Sequence, residues 1–419
     1  MSWIRAVFVF LAVPALVPAQ DAEPEDLLDR IKARVKESLH QLPDYVCDQT
    51  VQRWRTAGEG KPWDRQDTLR LEVSLIGGQE AYGWSGGGRL GDKDLAGLIG
   101  RGSVGTGSFA LHASNVFSGA PGYIFVGDVT LADGRKAIRY DFEVGKDRSA
   151  YRLRVPPKEA IVPYHGAFWI HPETLDLIKL TVETDEIPPD LPVAAISDTV
   201  EYARVAIGDS QFLLPKAAEF LLIGSEGEKS RNITQFESCR QYRAESKLIF
   251  DGHAVESQPQ TTDSPAAGIT LPSRTIIELA LDSSINPEEA AVGGEVRALV
   301  ARPLKDGNRL LVPAGTAVTG RLTRLDREDL PFPHYVVAFE FHTLATQGGP
   351  LTFSATMVDA EGKGVMRVQK RFMPAFDKRR RAPAMSILVR EQQNGQGVIH
   401  WDARQGQMPK NLRMKWEIH

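Results

Sequence analysis

The spacing of apolar residues changes once near the start of the chain, and this change constrains the fold more than any other feature. Residues 24–41 carry apolar side chains three or four residues apart, which predicts one amphipathic helix that ends before Pro43. These side chains are Leu27, Leu28, Ile31, Val35 and Leu39. Further along, apolar and polar residues alternate, which indicates antiparallel strands with one wet face. The sequence therefore predicts a mainly β protein.

The alternation is clearest in residues 68–75 and 137–144. Further strands of the first half are predicted at 45–54, 121–131, 151–155, 165–171, 175–185, 198–207, 211–223 and 230–250. Two short apolar segments, at 92–99 and 108–117, read instead as helices separated by a glycine-rich stretch. Two short helices between strands are expected to cover a curved antiparallel sheet as a lid.

A change of composition divides the chain. Residues 254–267 are rich in Ser, Thr, Gln and Pro and almost free of large apolar side chains, which is typical of a linker. The alternating pattern returns at 275–281 and 335–341. We therefore predict two β domains, at 20–253 and 268–419, which agrees with a length of 419 residues at about 150 residues per domain.

The first 19 residues have the features of a secretory signal peptide. Arg5 is followed by an apolar run from Ala6 to Val17, and Val17-Pro18-Ala19 offers a cleavage site. The alternative is a membrane anchor, which needs about 20 apolar residues and is longer than this run. We expect residues 1–19 to be removed and the mature protein to be periplasmic or secreted.

The chain has two cysteines, Cys47 and Cys239, in the first and the last predicted strand of the first domain. In an oxidising compartment an isolated pair of cysteines usually joins, so we predict a disulfide; two free thiols are the alternative. In the chain-entropy account, closing a loop of this length stabilises the fold by up to ~5 kcal/mol.

Charge and histidine spacing exclude several functions. The 50 Lys and Arg residues against 54 Asp and Glu give a net charge of −4, which argues against a nucleic-acid partner. His334 and His342 are eight residues apart in one predicted strand, or ~26 Å, too far to share an ion. No metal ligands and no cofactor are predicted.

Two glycine motifs were considered as catalytic or nucleotide sites. Residues 83–87 match G-x-S-x-G around Ser85, but a nucleophile elbow needs a helix next, and Gly88 and Gly91 follow. Residues 100–105 match G-x-G-x-x-G, but a dinucleotide site needs a preceding strand in a βαβ unit. We predict no catalytic residue, and a secreted hydrolase that uses Ser85 is kept as an alternative.

The segment Phe168-Trp169-Ile170-His171-Pro172-Glu173-Thr174, which leads into 175–180, resembles a hairpin of the LolA-like periplasmic lipoprotein-sorting proteins. With the N-terminal helix and the strand pattern, the resemblance covers about residues 24–252. It implies a half-barrel whose short helices close over an acyl-chain cavity. The overall layout, including Leu42-Pro43-Asp44-Tyr45-Val46-Cys47, also resembles uncharacterised secreted bacterial proteins.

On this reading seven apolar side chains are candidates for the cavity or its lid, and their alternative role is ordinary core packing. The candidates are Trp84, Phe109, Leu111, Phe117, Tyr140, Phe142 and Trp169. The expected function is that of a non-catalytic cell-envelope protein that binds a lipid, a lipoprotein acyl chain or another apolar ligand. The alternative is an envelope scaffold without a ligand.

The second domain resembles the C-terminal β-barrel of TrbI-type conjugation and type IV secretion proteins over about residues 269–325. The matching features are the strand at 275–279, the segment Gly293 to Val300, and Leu311-Val312-Pro313-Ala314-Gly315-Thr316 followed by Gly320. The resemblance implies a small β-barrel or sandwich. We expect this domain to dock to another envelope protein, for which open sheet edges are suited.

Overall fold

The computed structural model describes residues 24–86, 90–91, 95–99, 102–118, 122–242, 271–329, 332–366 and 395–419. The predicted signal peptide and the predicted linker lie outside these residues. Within them the protein is mainly β, and the strands of both large sheets pair antiparallel, as predicted. No helix in the described part of the chain has the length and apolar character needed to cross a membrane.

The described residues contain three α-helices, α1 (Pro24–His40), α2 (Leu95–Ile99) and α3 (Leu111–Ser118). The predicted N-terminal helix is confirmed within one residue. Glu25 and Asp26 lie in its first turn, where negative charge favours the helix dipole. Its apolar stripe is buried at Ile31 and Val35, and α1 lies beside α3.

The described part of the first half contains the strands β1 (Tyr45–Thr56), β2 (Asp64–Ile76), β3 (Gln79–Trp84), β4 (Gly122–Thr130), β5 (Lys136–Val144), β6 (Arg152–Val155), β7 (Lys158–Ile161), β8 (Tyr164–Ile170), β9 (Leu177–Thr184), β10 (Val193–Ile207), β11 (Ser210–Gly224) and β12 (Lys229–Gln241). Ten of them form one sheet, curved into the predicted half-barrel, in the order β3-β2-β1-β12-β11-β10-β9-β8-β5-β4. The strands β6 and β7 pair separately.

One row of directly opposed residues defines what we call the inner face of this sheet. From β2 to β4 the row is Leu69, Val51, Thr234, Ala218, Val200, Leu180, Phe168, Tyr140 and Phe125. All of these except Phe125 are buried. Because successive side chains of a strand point to opposite sides, this row fixes which residues of every strand face inward.

The sheet order places the first strand, β1, beside the last strand, β12. Cys47 and Cys239 form a disulfide across these two strands, so the predicted pairing is confirmed. The link closes a sequence separation of 192 residues. It therefore links the strand that begins this sheet in chain order to the strand that ends it, and these two strands are neighbours inside the sheet.

The described part of the second half contains the strands β13 (Ile276–Leu281), β14 (Glu295–Val300), β15 (Leu304–Asp306), β16 (Arg309–Val312), β17 (Ala317–Glu328), β18 (His334–Thr346), β19 (Gly349–Thr352), β20 (Ala355–Glu361), β21 (Gly397–Asp402) and β22 (Arg413–Ile418). Eight of them form one sheet in the order β19-β18-β17-β14-β13-β22-β20, with β21 paired to β18. The strands β15 and β16 form a separate pair. Met357 N of β20 donates to Gln396 O (3.3 Å), just before β21, so the two ends of this sheet come together; we call it the barrel, one of the two predicted forms, barrel or sandwich.

The second half also covers an edge of the first sheet. Val292 N donates to Thr68 O and Arg70 N donates to Val292 O, both at 2.8 Å, so residue 292 extends the sheet beside β2. The next residue is Gly293, with φ +90°, and a Cβ there would lie 2.2 Å from Arg70 O. A glycine is required at this position because only glycine allows both the conformation and the close approach.

Candidate functional site

Residues 102–118, the loop before α3 and α3 itself, lie over the inner face, and we call them the lid segment. Phe109 packs against Tyr45 and Phe236 of the sheet, with ring centroids 5.0 and 5.3 Å apart. Phe117 packs edge-on against Phe168 at 4.9 Å. Both lid phenylalanines are 1% exposed. The lid segment therefore fills part of the half-barrel with its own aromatic side chains.

Four of the seven predicted cavity residues meet in this interior. Phe109 and Phe117 come from the lid segment, and Tyr140 and Phe142 come from the inner face of β5. The Tyr140 ring is stacked on the Phe168 ring at 5.4 Å. Phe117, Tyr140 and Phe142 thus share contacts with the Phe168 ring, whereas Phe109 packs against Tyr45 and Phe236.

Of the other three predicted residues, Leu111 belongs to the lid segment, and Trp169 and Trp84 lie elsewhere. Trp169 is on the outer face, because it follows the inward-facing Phe168, and its ring lies between Arg139 (5.4 Å) and Lys179 (5.1 Å). Trp84 lies at the contact between the two halves of the chain, where a Cβ on Gly293 would come within 2.5 Å of its ring. Leu111 is half-buried at the first position of α3. Trp169 therefore faces away from the lid segment, because alternation along β8 reverses its direction relative to Phe168.

A partly buried carboxylate, that of Glu80, holds the lid segment, and sequence reasoning missed it. The Glu80 carboxylate of β3 accepts hydrogen bonds from the backbone N–H groups of Gly107 (3.0 Å), Ala110 (2.8 Å) and Leu111 (3.2 Å). It also accepts one from the Tyr82 hydroxyl at 2.5 Å. The unpaired N–H groups at the start of α3 are satisfied in this way, and the negative charge suits a helix N-terminus.

A second polar contact joins α3 to β10. His112 Nε2 lies 3.5 Å from Asp198 Oδ2, and both side chains are more than nine-tenths buried. The geometry is too poor for a direct hydrogen bond, so the attraction is mainly Coulombic. The Tyr151 hydroxyl donates to the same Asp198 oxygen at 2.9 Å. At the other end of the lid segment, Asn232 Nδ2 donates to Ser103 O at 3.1 Å.

These surroundings change the acidity of the groups. Burial lowers the pKa of His112, but the neighbouring Asp198 and Glu80 carboxylates outweigh burial and raise the pKa above its usual value. Burial, and then the nearby carboxylate, raise the pKa of Tyr82 (beside Glu80) and of Tyr151 (beside Asp198) well above the normal range. Both tyrosines therefore stay protonated and donate to these carboxylates.

The hydrogen bonds of Glu80 and Asn232 hold the lid segment on the sheet. No serine hydroxyl in the described part of the chain forms a hydrogen bond with His112. Ser85 lies at the contact between the two halves, where its carbonyl oxygen accepts from Arg321 (3.2 Å) and its backbone N–H donates to Arg70 O (3.4 Å). No hydrogen bond joins Ser85 to a histidine among the described residues.

Comparisons with known proteins add little. Neither a family model nor a curated protein matches the chain. Among solved structures, the chain is similar to a DUF1329 family protein from Desulfovibrio piger, with a sequence identity of 11% and a TM-score of 0.27. The match covers 54% of this chain and 95% of that chain. A TM-score of this size carries no conclusion about fold or function. The mainly β half-barrel stands on the structure itself, and the TrbI-type resemblance is without support.

Proposed function

We propose that residues 24–242 form a carrier domain of a non-catalytic cell-envelope protein, in which an acyl chain or another apolar ligand takes the place of Phe109 and Phe117. One observation carries the proposal. These two side chains are among the largest fully buried ones of the molecule, yet they belong to the lid segment and not to a strand. Moving the lid segment away would vacate the interior without breaking any strand pair of the sheet.

The surface left behind would suit such a ligand. The side chains against which the two lid phenylalanines pack are aromatic and sit on the inner face: Tyr45, Phe168 and Phe236. Ligand sites for apolar molecules are lined mainly by such side chains. The polar groups that hold the lid segment, Glu80 and Asp198, would then form the rim of the site.

A specific observation favours a second candidate function, a scaffold without a ligand. Phe117, Phe168 and Tyr140 form a continuous ring cluster, and each is 1% exposed or less. An interior packed in this way is complete in the absence of any ligand.

The proposed location is the periplasm or the exterior of the cell. It rests on the predicted signal peptide, and the Cys47–Cys239 disulfide is compatible with an oxidising compartment. The second half of the chain would dock to another envelope protein, and Leu310 and Val358 are exposed apolar side chains there. The position of Ser85 does not favour a hydrolase.

The test compares two aromatic truncations of the mature chain. Phe117→Ala removes a lid side chain from the interior, and Trp169→Ala removes an aromatic ring from the outer face as a matched control. We expect cis-parinaric acid, a fluorescent fatty acid, to bind Phe117→Ala at least tenfold more tightly than the wild-type chain, because space is vacated. Trp169→Ala should bind like the wild type.

Native mass spectrometry of the protein purified from its envelope provides the second measurement. A co-purified lipid that is lost on mild heating supports the carrier. If no lipid co-purifies and the fatty acid binds neither the wild-type chain nor Phe117→Ala, the carrier is excluded and the scaffold remains.

A further inference from the structure

Two histidines that are far apart in sequence lie side by side in the second half of the chain. His334 begins β18, and His400 lies in the neighbouring strand β21, where it faces Val336. The two imidazoles are therefore diagonal neighbours on one face, with ring centroids 5.4 Å apart. His334 is 0% exposed and His400 is 6% exposed.

The hydrogen bonds of His334 fix which ring nitrogen is available. Its Nδ1 lies 2.9 Å from Phe332 O, and since a carbonyl oxygen accepts, Nδ1 must carry the proton. The lone pair of His334 Nε2 is left buried without a hydrogen-bond partner. Both ring nitrogens of His400 are also buried without one. Three neighbouring ring nitrogens that are buried without a hydrogen-bond partner are unusual, because buried polar atoms nearly always form a hydrogen bond.

A carboxylate completes the cluster. Glu328, the last residue of β17, lies directly opposite His334, and its Oε2 is 3.5 Å from His334 Nε2. A lone pair and a carboxylate oxygen that face each other repel unless a proton or a cation lies between them. Glu328 is also within 3.9 Å of Arg324, but Arg324 has a closer carboxylate partner in Asp326 (2.5 Å) and keeps it if Glu328 turns.

We propose that His334 Nε2 and a ring nitrogen of His400 bind a first-row divalent metal ion such as zinc, with Glu328 and water as the remaining ligands. A tetrahedral ion ~2.1 Å from one nitrogen of each ring places the two ring centroids ~5 Å apart, close to the separation observed. The bond from His334 Nδ1 to a backbone carbonyl is the outer contact that metal-bound histidines commonly make. The described residues contain no ready-made set of three such ligands, so Glu328 must turn toward the ion.

The bound ion would join β18 to β21 at one end of the barrel and would stabilise it in proportion to the free metal concentration.

The experiment titrates zinc into the metal-free mature chain by isothermal calorimetry and follows the unfolding temperature. We expect one ion per chain and a higher unfolding temperature with zinc. His400→Gln should weaken binding at least tenfold and Glu328→Gln should weaken it less. His342→Gln is the matched control, because His342 lies on the same strand, bonds to Thr343 and is outside the cluster. It should bind zinc like the wild type.

The outcomes separate clearly. The proposal is overturned if the wild-type chain does not bind zinc, or if His400→Gln binds it as well as His342→Gln does. Should His400→Gln fail to fold, cobalt added to the wild-type chain decides the question. Intense visible absorption of four-coordinate cobalt supports the site, and the weak absorption of six-coordinate cobalt overturns it. The test is independent of lipid binding by residues 24–242.

Discussion

The two β modules of this protein fill their interiors in different ways. In the half-barrel, Phe109 and Phe117 come from the lid segment and pack onto the sheet. In the barrel of the second half, the interior is filled by strand residues, and Phe341 packs edge-on against Trp416 at 5.1 Å. Two of the large side chains in the first interior thus belong to a segment outside the strands, whereas Phe341 and Trp416 in the second belong to strands.

The hydrogen bonds between Glu80 and the lid segment explain why the lid segment stays on the sheet. Glu80 is partly buried beside the lid segment, and a carboxylate that loses contact with water needs hydrogen bonds in its place. Three backbone N–H groups of the lid segment provide these bonds. The difference between the modules is that part of the filling of the half-barrel is held by a few polar contacts and not by strand pairing, and the following predictions test this comparison.

The largest effect is expected from removing the disulfide. Cys47→Ser with Cys239→Ser should lower the free energy of unfolding of the half-barrel by about 5 kcal/mol, because the unfolded chain regains the freedom of a 192-residue loop. Urea unfolding followed by hydrogen exchange measures each module separately. The second module should be unchanged; an equal loss in both would show that they unfold as one unit and would break the comparison.

The next effect contrasts the two interiors directly. Trp416→Ala should destabilise the barrel by about 3–5 kcal/mol, since a fully buried aromatic side chain is lost from paired strands. Phe117→Ala should lower the free energy of unfolding of the half-barrel by a smaller amount. Phe117 no longer packs on the sheet once the lid segment opens, so the loss cannot exceed the free energy of that opening. Chemical denaturation of both variants provides the measurement. A larger cost for Phe117→Ala would mean that the lid segment is an inseparable part of the fold.

A smaller effect is expected from weakening the hydrogen bonds between Glu80 and the lid segment. Glu80→Gln removes the charge that the three lid N–H groups share, and hydrogen bonds to charged groups contribute roughly 1.5–3 kcal/mol each. We expect faster hydrogen exchange at Gly107, Ala110 and Leu111 while the strands keep their protection. Glu219→Gln, whose carboxylate pairs with Arg231, is the control and should leave these three amides unchanged. Equal exchange in both variants would exclude Glu80 as the residue that holds the lid segment.

The smallest effect concerns pH. The folded-state pKa of His112 is raised, so its attraction to Asp198 is fully present below the unfolded value near 6.5 and is lost as the pH rises through the folded value. Hydrogen exchange of α3, corrected for its intrinsic pH dependence, should therefore show less protection above that value. The His112→Gln variant should lose this dependence. Protection that increases with pH in the wild-type chain would contradict the assignment.

Much of the fold was predictable because it depends on local patterns. The helix at Pro24–His40 follows from a 3.6-residue period, and β5 (Lys136–Val144) follows from an alternation that an antiparallel sheet imposes on every half-buried strand. The candidate site was predictable in part. Phe109 and Phe117 were identified as lid residues, but nothing adjacent to Glu80 or Asp198 in the sequence signals their role.

The sequence by itself determined the strands, the N-terminal helix, the short helices and the placement of the two cysteines in the first and last strands of one sheet. The tertiary structure decided which face of each strand lies inside, and so it put Phe168 beneath the lid segment and Trp169 on the outside. It also decided which distant residues meet, as with His334 and His400. The physical reason is that a period of two assigns neighbours to opposite faces without saying which face is inner, and strand order is set by contacts between residues far apart in the chain.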